Sequence, residues 1–434
     1  MTMINKERAP RLGIYLHIPF CVRRCPYCGF YSQGLEETSS RLPEEYRQRL
    51  LASIRHYGDP QGFRVADEES KQQEAGFFLR EHQVDSIFFG GGTPTLLPAS
   101  AFAEILAAIR ENFRVSADCE ITTEANPGTI DREKLRELKQ AGVNRLSIGV
   151  QSFADPVLKT LGRIHTAAQA EEAFHAAREA GFDNINLDLM FAIPGQSRGQ
   201  WAQTLEKTIA LAPEHLSFYS LQIEEGTPYY RDWEAGKLKE TPDVTDRAMY
   251  HDAIRILEEN GYRHYEISNA AKPGFECRHN LKYWQGEEYL GIGDSAASYL
   301  LRRDQALSGE QSAGEPATGL PVAELEKNRP VLRGVRFTEW QGTLTDVHFN
   351  SEFDDWSEYA FTALRLRQGL DYVSFRGRFG IGFREAFADR WGELDEFFAA
   401  GYLKQYVTAE GIPTRLVLTE AGIDISNRIM AVFV

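Results

Sequence analysis

The 434-residue sequence has few cysteines, no excess of positive charge and no long apolar run. Five cysteines are too few for a disulfide-rich scaffold. A formal net charge of −15 argues against a nucleic-acid partner, because phosphate binding requires a basic surface. The sequence has no apolar segment of bilayer length, and its first residues lack the apolar core of a signal peptide. We therefore expect a cytoplasmic protein with at most peripheral membrane contact.

Three of the five cysteines, Cys21, Cys25 and Cys28, lie close together in the chain. Thiolates are soft ligands that favour iron–sulfur or zinc chemistry over magnesium or calcium. Their odd number argues against a disulfide framework. A structural zinc site would need a fourth ligand, for which the preceding His17 is the only nearby candidate. A four-iron cluster on three cysteines would instead leave one iron open to a substrate or cosubstrate.

Strand and helix patterns alternate after the cysteines, and glycine closes several of the helices. This alternation is typical of βαβ units around a parallel sheet. Six such units in series predict an α/β fold in the form of a partial (β/α)6 barrel. The predicted strands are 13–20, 85–89, 119–123, 145–150, 184–192, 215–222 and 264–267, and the predicted helices are 43–57, 99–113, 131–141, 167–180, 199–211 and 244–260, with a short helical turn at 77–82 and a loop at 58–76.

Polar residues recur near the C-terminal ends of these predicted strands. Asp188 alternates with Ile185, Leu187 and Leu189, so its side chain is expected on the opposite face of its strand. In parallel α/β barrels the C-terminal face carries the active site. We therefore expect one shared cavity mouth for the residues at the strand ends, which are Cys21, Gly90–Thr93, Glu124, Gln151 and Asp188.

Composition divides the chain into three parts. Residues 1–300 contain the predicted barrel with the cysteine loop. Residues 301–350 are predicted to be a linker or flap, because 303–330 are rich in Gly, Ser, Pro, Glu and Gln. Residues 351–434 are predicted to form a small α+β domain similar to a winged helix. Its predicted helices are 356–367, 382–399 and 420–430, and its predicted strands are 403–407 and 415–418.

The cysteine spacing resembles that of the radical S-adenosylmethionine (SAM) superfamily, in which the three cysteines stand three and then two residues apart. Tyr27, directly before Cys28, matches the aromatic residue of that motif. The resemblance implies a partial-barrel fold and a [4Fe–4S] cluster on Cys21, Cys25 and Cys28. It also implies that SAM binds at the open iron.

The turn after the second predicted strand matches a further element of the superfamily. Gly91, Gly92 and Thr93 occupy the positions that the resemblance assigns to the methionine amino group of SAM. Glycine permits close approach of the backbone to a ligand. A glycine run after a strand is equally compatible with a plain tight turn.

Within the superfamily, the sequence from residue 15 onward resembles the oxygen-independent coproporphyrinogen III dehydrogenases of heme synthesis. The resemblance implies SAM-binding roles for five side chains, namely Tyr15, Glu124, Gln151, Arg163 and Asp188. Their chemistry agrees with such roles, because carboxylate and amide groups suit hydroxyl and ammonium partners and a guanidinium can clamp a carboxylate. Each residue taken alone is also compatible with a solvated loop position.

Two departures from the dehydrogenases resemble heme chaperones of the HemW type. Phe30 stands where the dehydrogenase has a fourth cysteine, and only fourteen residues precede Tyr15. The segment Cys-Arg-His-Asn-Leu-Lys-Tyr-Trp at 277–284 contains a His-Asn-x-x-Tyr-Trp motif that is associated with heme binding in that family. The resemblance implies that His279 ligates heme iron, while Tyr283 and Trp284 contact the macrocycle.

Other features of this region leave its role open. Arg278 or Lys282 could meet heme propionates, and a polar loop with two aromatics packed beneath it is the structural alternative. Ala297 stands where the family commonly has a histidine.

Two functions follow from these resemblances. The first is a heme chaperone that carries the cluster and SAM, binds heme and passes it to a client hemoprotein, with an electron donor such as flavodoxin or ferredoxin. The alternative is a radical SAM enzyme that acts on a tetrapyrrole, because a pure carrier would not obviously need an intact SAM site. The missing fourth cysteine at Phe30 argues against the coproporphyrinogen dehydrogenase itself.

Overall fold

The computed structural model describes residues 9–35, 42–66, 73–303 and 332–434. A 12-stranded mixed sheet forms the body of this part of the chain. The described strands are β1 (Arg11–Ile18), β2 (Phe20–Cys21), β3 (Gln33–Gly34), β4 (Phe63–Ala66), β5 (Glu74–Phe77), β6 (Gln83–Gly91), β7 (Arg114–Ala125), β8 (Arg145–Gln151), β9 (Ile185–Phe191), β10 (His215–Ser220), β11 (Arg263–Glu266), β12 (Asn269–Ala271), β13 (Tyr289–Ile292), β14 (Ala296–Arg303), β15 (Leu332–Trp340), β16 (Thr343–Phe349), β17 (Leu370–Asp371), β18 (Leu403–Val407) and β19 (Pro413–Leu418).

Helices connect the strands and form the second layer. The described α-helices are α1 (Leu42–Tyr57), α2 (Ala99–Asn112), α3 (Arg132–Ala141), α4 (Asp155–Thr160), α5 (Ala167–Glu179), α6 (Arg198–Leu211), α7 (Pro228–Glu234), α8 (Asp243–Glu259), α9 (Arg278–Gln285), α10 (Glu352–Leu364), α11 (Tyr372–Phe379), α12 (Phe383–Ala386), α13 (Trp391–Ala399), α14 (Glu420–Asp424) and α15 (Ser426–Met430). In the described ranges, no helix is long and apolar enough to cross a membrane.

Six strands lie side by side in parallel, in the order β1-β6-β7-β8-β9-β10, and β13 adds a seventh parallel strand on the other side of β1. This arrangement confirms the predicted α/β partial barrel. The strand predicted at 264–267 is different. It lies in β11, which pairs antiparallel with β12 at the sheet edge. The two-residue connection between β11 and β12 is too short for a parallel crossover, so this strand adds a hairpin and not a further βα unit.

Alternation along β1 separates its two faces. Leu12, Ile14 and Leu16 are fully buried and belong to the hydrophobic core that also contains Ile54 of α1. Successive side chains of a strand point to opposite faces, so Tyr15 is directed to the barrel interior. There it pairs in register with Phe88 of β6. The same alternation brings the polar residues of the other strands to the interior.

Side-chain caps fix where the helices begin after the strand-end loops. Asp131 accepts a hydrogen bond from the Lys134 backbone N–H at the start of α3. Thr166 and Ser197 form capping boxes at the starts of α5 and α6. Such caps satisfy backbone N–H groups that have no partner within the helix. The loops between strand and helix are therefore held in one place, which positions the side chains at the cavity mouth.

Two hairpins were not predicted from the sequence. The predicted loop at 58–76 contains β4 and β5, which pair with each other. The predicted linker at 301–350 is wrong at both ends, because β14 extends to residue 303, and β15 and β16 continue the main sheet beside it. The remainder, 304–331, lies outside the described residues. Short strands depend on cross-strand partners far away in the sequence, which local composition does not show.

The C-terminal part contains a three-stranded antiparallel sheet in the order β17-β19-β18, with α10 to α15 around it. The predicted strand pair corresponds to β18 and β19. The predicted helix 382–399 is divided into α12 and α13, and α11 precedes it. Arg378 donates a hydrogen bond to the Gly286 carbonyl at 2.7 Å, which connects this part to the end of α9.

Candidate cofactor site

The cysteine loop follows β1 at the C-terminal edge of the parallel strands. β2 pairs with β3, so the two ends of the loop are held together at Cys21 and Gly34. Inside the loop, the Cys28 backbone N–H donates to the Cys25 carbonyl at 3.1 Å. All three cysteines are free thiols and are half-buried. The loop thus presents three thiols from a closed turn on one side of the sheet.

A cavity of about 440 Å³, here called the cysteine cavity, opens beside this loop. Nine separate chain segments supply its wall. Of the site residues predicted from the sequence, eleven line it: Cys21, Cys25, Cys28, Tyr27, Gly91, Gly92, Thr93, Glu124, Gln151, Arg163 and Asp188. The structure therefore brings together the residues at the strand ends, as expected. Tyr15, His279, Tyr283 and Trp284 do not line this cavity.

The glycines at the end of β6 are required by close packing. Gly91 has a positive φ of 110°, and a Cβ there would lie 2.7 Å from the His17 ring. A Cβ at Gly92 would lie 2.6 Å from the Phe20 carbonyl oxygen. Thr93 follows, and its hydroxyl donates to the Cys21 sulfur at 3.8 Å. Glycine is thus needed to bring this backbone against the cysteine loop, which leaves a backbone cradle open to a ligand.

Two carboxyl groups face the cavity from β7 and β9, the strands on either side of β8. Glu124 accepts a hydrogen bond from the Gly91 backbone N–H at 3.2 Å. Burial, and secondarily the charge of Asp188, raises the pKa of Glu124 to about 8. Burial also raises the pKa of Asp188, which accepts hydrogen bonds from Asn186 at 2.8 Å and Ser147 at 3.1 Å. Such a pair favours a ligand that brings hydroxyl or ammonium donors.

Arg163 contacts both the protein backbone and the cysteine loop. Its guanidinium donates to the Gly149 carbonyl at 2.8 Å, to Asn126 Oδ1 and to the Cys25 sulfur at 3.7 Å. Its Nε is buried without a hydrogen-bond partner among the described residues. Three partners hold this planar group beside the thiols, where a guanidinium can meet a carboxylate.

Gln151 occupies a strained backbone position at the end of β8, with a φ of 65°. Its side-chain oxygen accepts a hydrogen bond from the Tyr219 hydroxyl at 3.3 Å. A left-handed conformation is uncommon for a residue other than glycine, and such positions cluster at ligand sites. The strain therefore agrees with a functional role for Gln151.

A second space of about 220 Å³, here called the inner chamber, lies next to the cysteine cavity within the barrel. The two spaces share Glu124, Asp188, Ser217 and Asn280. Tyr15, His279 and Tyr283 line the inner chamber. Tyr15 therefore lines the inner chamber. Glu124 and Asp188, which line both spaces, separate Tyr15 from the cysteine cavity.

His279 is enclosed at the N-terminal turn of α9. It is 1% exposed, and its ring nitrogens are hydrogen-bonded to the Ser86 hydroxyl at 3.0 Å and the Tyr283 hydroxyl at 2.9 Å. Burial, and then the positive charges of Lys282 and Arg145, lowers its pKa to about 3. The side chain is therefore a neutral imidazole with both nitrogens in use. The structural alternative of a polar loop at this motif is wrong in one respect, because residues 278–285 form the helix α9.

Trp284 and the basic residues of the motif also have partners within the protein. The Arg365 guanidinium lies 4.2 Å above the Trp284 ring. Lys282 is buried and forms ion pairs with Asp85 at 2.7 Å and Glu287 at 2.9 Å. As the molecule stands, these groups hold α9 in place, and they do not present a free surface to a macrocycle.

Several polar residues of the two spaces were not predicted from the sequence. Asn126 donates to Thr93 at 2.8 Å and also contacts Arg163. Arg145 is 2% exposed, and Asn280 reaches both spaces. The position of Asn126, two residues after Glu124, was a usable signal. Arg145 begins a strand and Asn280 lies in a helix, so no local pattern indicates their inward direction.

The donor set fits an iron–sulfur cluster with an adjoining organic ligand. Iron–sulfur clusters are held by cysteine thiolates, and the wall offers three free thiols with a glycine cradle and a buried guanidinium nearby. Within the described ranges, no three His, Cys, Asp or Glu side chains are arranged to hold a metal ion.

Comparisons with known proteins identify relatives of the chain. The Radical SAM superfamily model matches residues 15–208, and the HemN C-terminal domain model matches residues 351–425. The chain is 36% identical over 402 residues to the heme chaperone HemW of Escherichia coli, covering 92% of this chain and 93% of the relative. It is 35% identical over 363 residues to the HemW of Haemophilus influenzae, covering 82% and 89%.

A solved structure shares the fold. The coproporphyrinogen III oxidase HemN of Escherichia coli, described as a radical SAM enzyme, superposes with a TM-score of 0.72 at 21% identity. The match covers 98% of this chain and 90% of that one. Both the barrel and the C-terminal part therefore have counterparts in one known architecture.

Proposed function

The chain belongs to the HemW heme chaperone family of the radical SAM superfamily, and from this premise we propose that it binds heme and delivers it to client hemoproteins. The observation that carries the proposal is the 36% identity to a heme chaperone over 92% of the chain, which spans the barrel and the C-terminal part. Phe30 supports it, because an exposed aromatic stands where the dehydrogenases place a fourth cysteine.

Cys21, Cys25 and Cys28 would hold the [4Fe–4S] cluster of the superfamily at the wall of the cysteine cavity. When bound, the cluster supplies an open iron for SAM and an electron that can cleave it. The glycine cradle at Gly91 and Gly92 would admit the methionine end of SAM.

The remaining polar groups of the cysteine cavity would fix the orientation of SAM. Thr93, Glu124 and Asp188 offer acceptors to its ammonium and hydroxyl groups, while Gln151 and Arg163 offer donors to its carboxylate. Tyr27 would close the cysteine cavity on the side of the cysteine loop, whereas Tyr15 would act from the adjoining inner chamber. These assignments rest on the shared cavity and on the hydrogen bonds described above.

The His279–Trp284 segment has a supporting role in this proposal. His279 and Tyr283 line the inner chamber that adjoins the cysteine cavity. Trp284 packs under Arg365, which forms an ion pair with Glu266 at 3.6 Å at the edge of the barrel. The segment would therefore keep the barrel wall behind SAM in place.

Electron supply and location belong to the same proposal. Reduction of the cluster would require a one-electron donor such as flavodoxin or ferredoxin. Free thiols and a cluster are maintained in a reducing compartment, which favours the cytoplasm.

The alternative function is a radical SAM enzyme that acts on a tetrapyrrole. The intact set of SAM residues in the cysteine cavity favours this alternative, because a carrier has no evident need for it.

One anaerobic experiment separates the two functions. The reconstituted protein is incubated with reductant, SAM and coproporphyrinogen III, and in parallel it is loaded with heme and mixed with an apo-hemoprotein. We expect heme transfer and no vinyl product. Formation of the decarboxylated porphyrinogen together with 5′-deoxyadenosine, without heme transfer, would establish the enzyme instead.

A further inference from the structure

Three apolar side chains surround the mouth of the cysteine cavity. Phe30 is 70% exposed and Ile164 is 51% exposed, and the half-buried Val22 lies in the cysteine loop with Phe30. Single exposed apolar residues are common on protein surfaces, whereas a group at the mouth of one cavity indicates a binding surface. We call Val22, Phe30 and Ile164 the apolar rim.

Contacts within the protein connect the two chain segments that form the apolar rim. Arg23 donates a hydrogen bond to the Gly162 carbonyl at 2.9 Å, which links the cysteine loop to the segment that carries Ile164. A Cβ at Gly162 would lie 2.8 Å from the Pro26 ring, so the two segments are also in close contact. The rim is therefore a joined surface made from two parts of the chain.

Two positively charged side chains lie beside the apolar rim, although the protein as a whole is acidic. Arg23 and Arg24 are exposed, and their guanidinium groups donate to the backbone carbonyls of Gly162 and Cys28. Among the described residues, neither forms a salt bridge with a carboxylate, although the chain has a formal net charge of −15. An apolar surface beside two cations without acidic partners is complementary to a flat apolar ligand with carboxylates at its edge.

Heme is such a ligand, because it is flat and apolar and has carboxylates at its edge. The enclosed His279 ring offers heme no comparable surface. To reach the His279 ring, a macrocycle would have to displace Tyr283 and open α9 at its N-terminus. That end is fixed by Glu120, which accepts hydrogen bonds from the backbone N–H groups of Arg278 and His279 at 3.1 Å each. Lys282 fixes the same helix to Asp85 at 2.7 Å.

We propose that heme docks on the apolar rim, with its face against Val22, Phe30 and Ile164 and its propionates on Arg23 and Arg24, and without His279 as an iron ligand. This inference rests on the proposed function and specifies its binding surface. Heme on the rim lies over the mouth of the cysteine cavity, next to the SAM site. The face and the carboxylates of the ligand provide the recognition, so the iron is not required for binding.

The test uses the reconstituted protein with its cluster and measures dissociation constants for heme and for iron-free protoporphyrin IX. Wild type is expected to bind both. Phe30→Asp is expected to weaken both about tenfold or more, since an exposed charge would replace the aromatic contact. The double variant Arg23→Ala, Arg24→Ala is expected to weaken heme binding and to leave the heme dimethyl ester nearly unaffected. Iron content and circular dichroism verify that each variant is folded.

Matched controls lie elsewhere on the surface. Val373→Asp changes a side chain of similar exposure, 72%, in the C-terminal part, and Arg55→Ala removes an exposed arginine from α1. Both are expected to bind heme as wild type does. Wild-type affinity of Phe30→Asp, or loss of heme binding in a folded His279→Ala variant, would overturn the rim assignment.

The failure of this inference can be distinguished from failure of the proposed function. If wild type shows no saturable heme binding, the chaperone function itself is wrong. If wild type binds heme and the rim variants bind it equally well, the chaperone function stands and only the rim assignment is wrong. Binding of heme without any binding of protoporphyrin IX would also overturn the rim assignment, because it would show that the iron is needed.

Discussion

Glu124 accepts a hydrogen bond from the Gly91 backbone N–H at 3.2 Å, which joins the end of β7 to the glycine turn at the end of β6. This contact places a carboxylate beside a backbone cradle at the mouth of the barrel. The cradle exists only because Gly91 and Gly92 lack side chains where His17 and Phe20 approach. The first two predictions test the two partners of this bond.

Gly91→Ala should weaken SAM binding about tenfold or more and lower stability. The new Cβ would meet the His17 ring at 2.7 Å, and alanine is strained at a φ of 110°. Gly195→Ala is a matched control, because Gly195 has a φ of 81° but open space around it. SAM affinity measured by equilibrium dialysis should fall only in the first variant. Equal affinities in both would show that the close approach is irrelevant to SAM.

Glu124→Gln should stabilise the ligand-free protein at alkaline pH. The pKa of Glu124 rises from its ordinary value of 4.5 to about 8 on folding. Between these values the folded chain keeps a proton that the unfolded chain has released, so stability falls as pH rises through this window. Glutamine removes this dependence.

Thermal unfolding at about pH 5 and about pH 9 measures the effect. The melting temperature of Glu124→Gln should exceed that of wild type mainly at the higher pH. Glu111→Gln, on the exposed side of α2, is the control and should follow wild type at both. If the melting temperature of Glu124→Gln exceeded that of wild type by the same amount at both pH values, the raised pKa of Glu124 would not be the cause.

Arg163→Lys should weaken SAM binding about tenfold or more. The guanidinium contacts the Gly149 carbonyl, Asn126 and the Cys25 sulfur together, and a lysine ammonium cannot span these three partners. Hydrogen bonds to charged groups contribute roughly 1.5–3 kcal/mol each. Arg198→Lys, at an exposed ion pair with Asp252, provides a control. SAM affinity of Arg163→Lys at the wild-type level would exclude a binding role for the planar group.

His279→Ala should destabilise the fold by roughly 2–4 kcal/mol. It leaves the Ser86 and Tyr283 hydroxyls without their partner and opens a cavity beside Phe88, whose ring centroid lies 5.3 Å from that of His279. His175→Ala, at an exposed position on α5, should have little effect. Chemical denaturation gives the free energies of unfolding. A His279→Ala variant with the free energy of unfolding of wild type would show that the ring does not stabilise the fold.

The sequence predicted those features that depend on local pattern. Period-two alternation directs Asp188 inward, and the strand-end positions of Glu124 and Gln151 follow from the βα repeat. The cysteine loop was predicted from spacing alone. In each case the signal lies within a few residues of the side chain concerned.

Features that depend on distant partners were not predicted. His279 is buried against Ser86 and Phe88 of β6 and Glu120 of β7, which are all distant from it in the sequence. Arg145 looks like an ordinary strand start until the barrel encloses it. β15 and β16 form only because β14 offers an open edge. The exposure of Phe30 likewise becomes visible only when the loop is folded over the cavity.

Titration of heme into the reconstituted protein, with cluster and SAM present, tests the chaperone function most directly. We predict a saturable change in the heme absorbance spectrum, and transfer of the bound heme to an apo-hemoprotein on mixing. A spectrum that never saturates, from a protein that retains its cluster and binds SAM, would contradict the assignment as a heme chaperone.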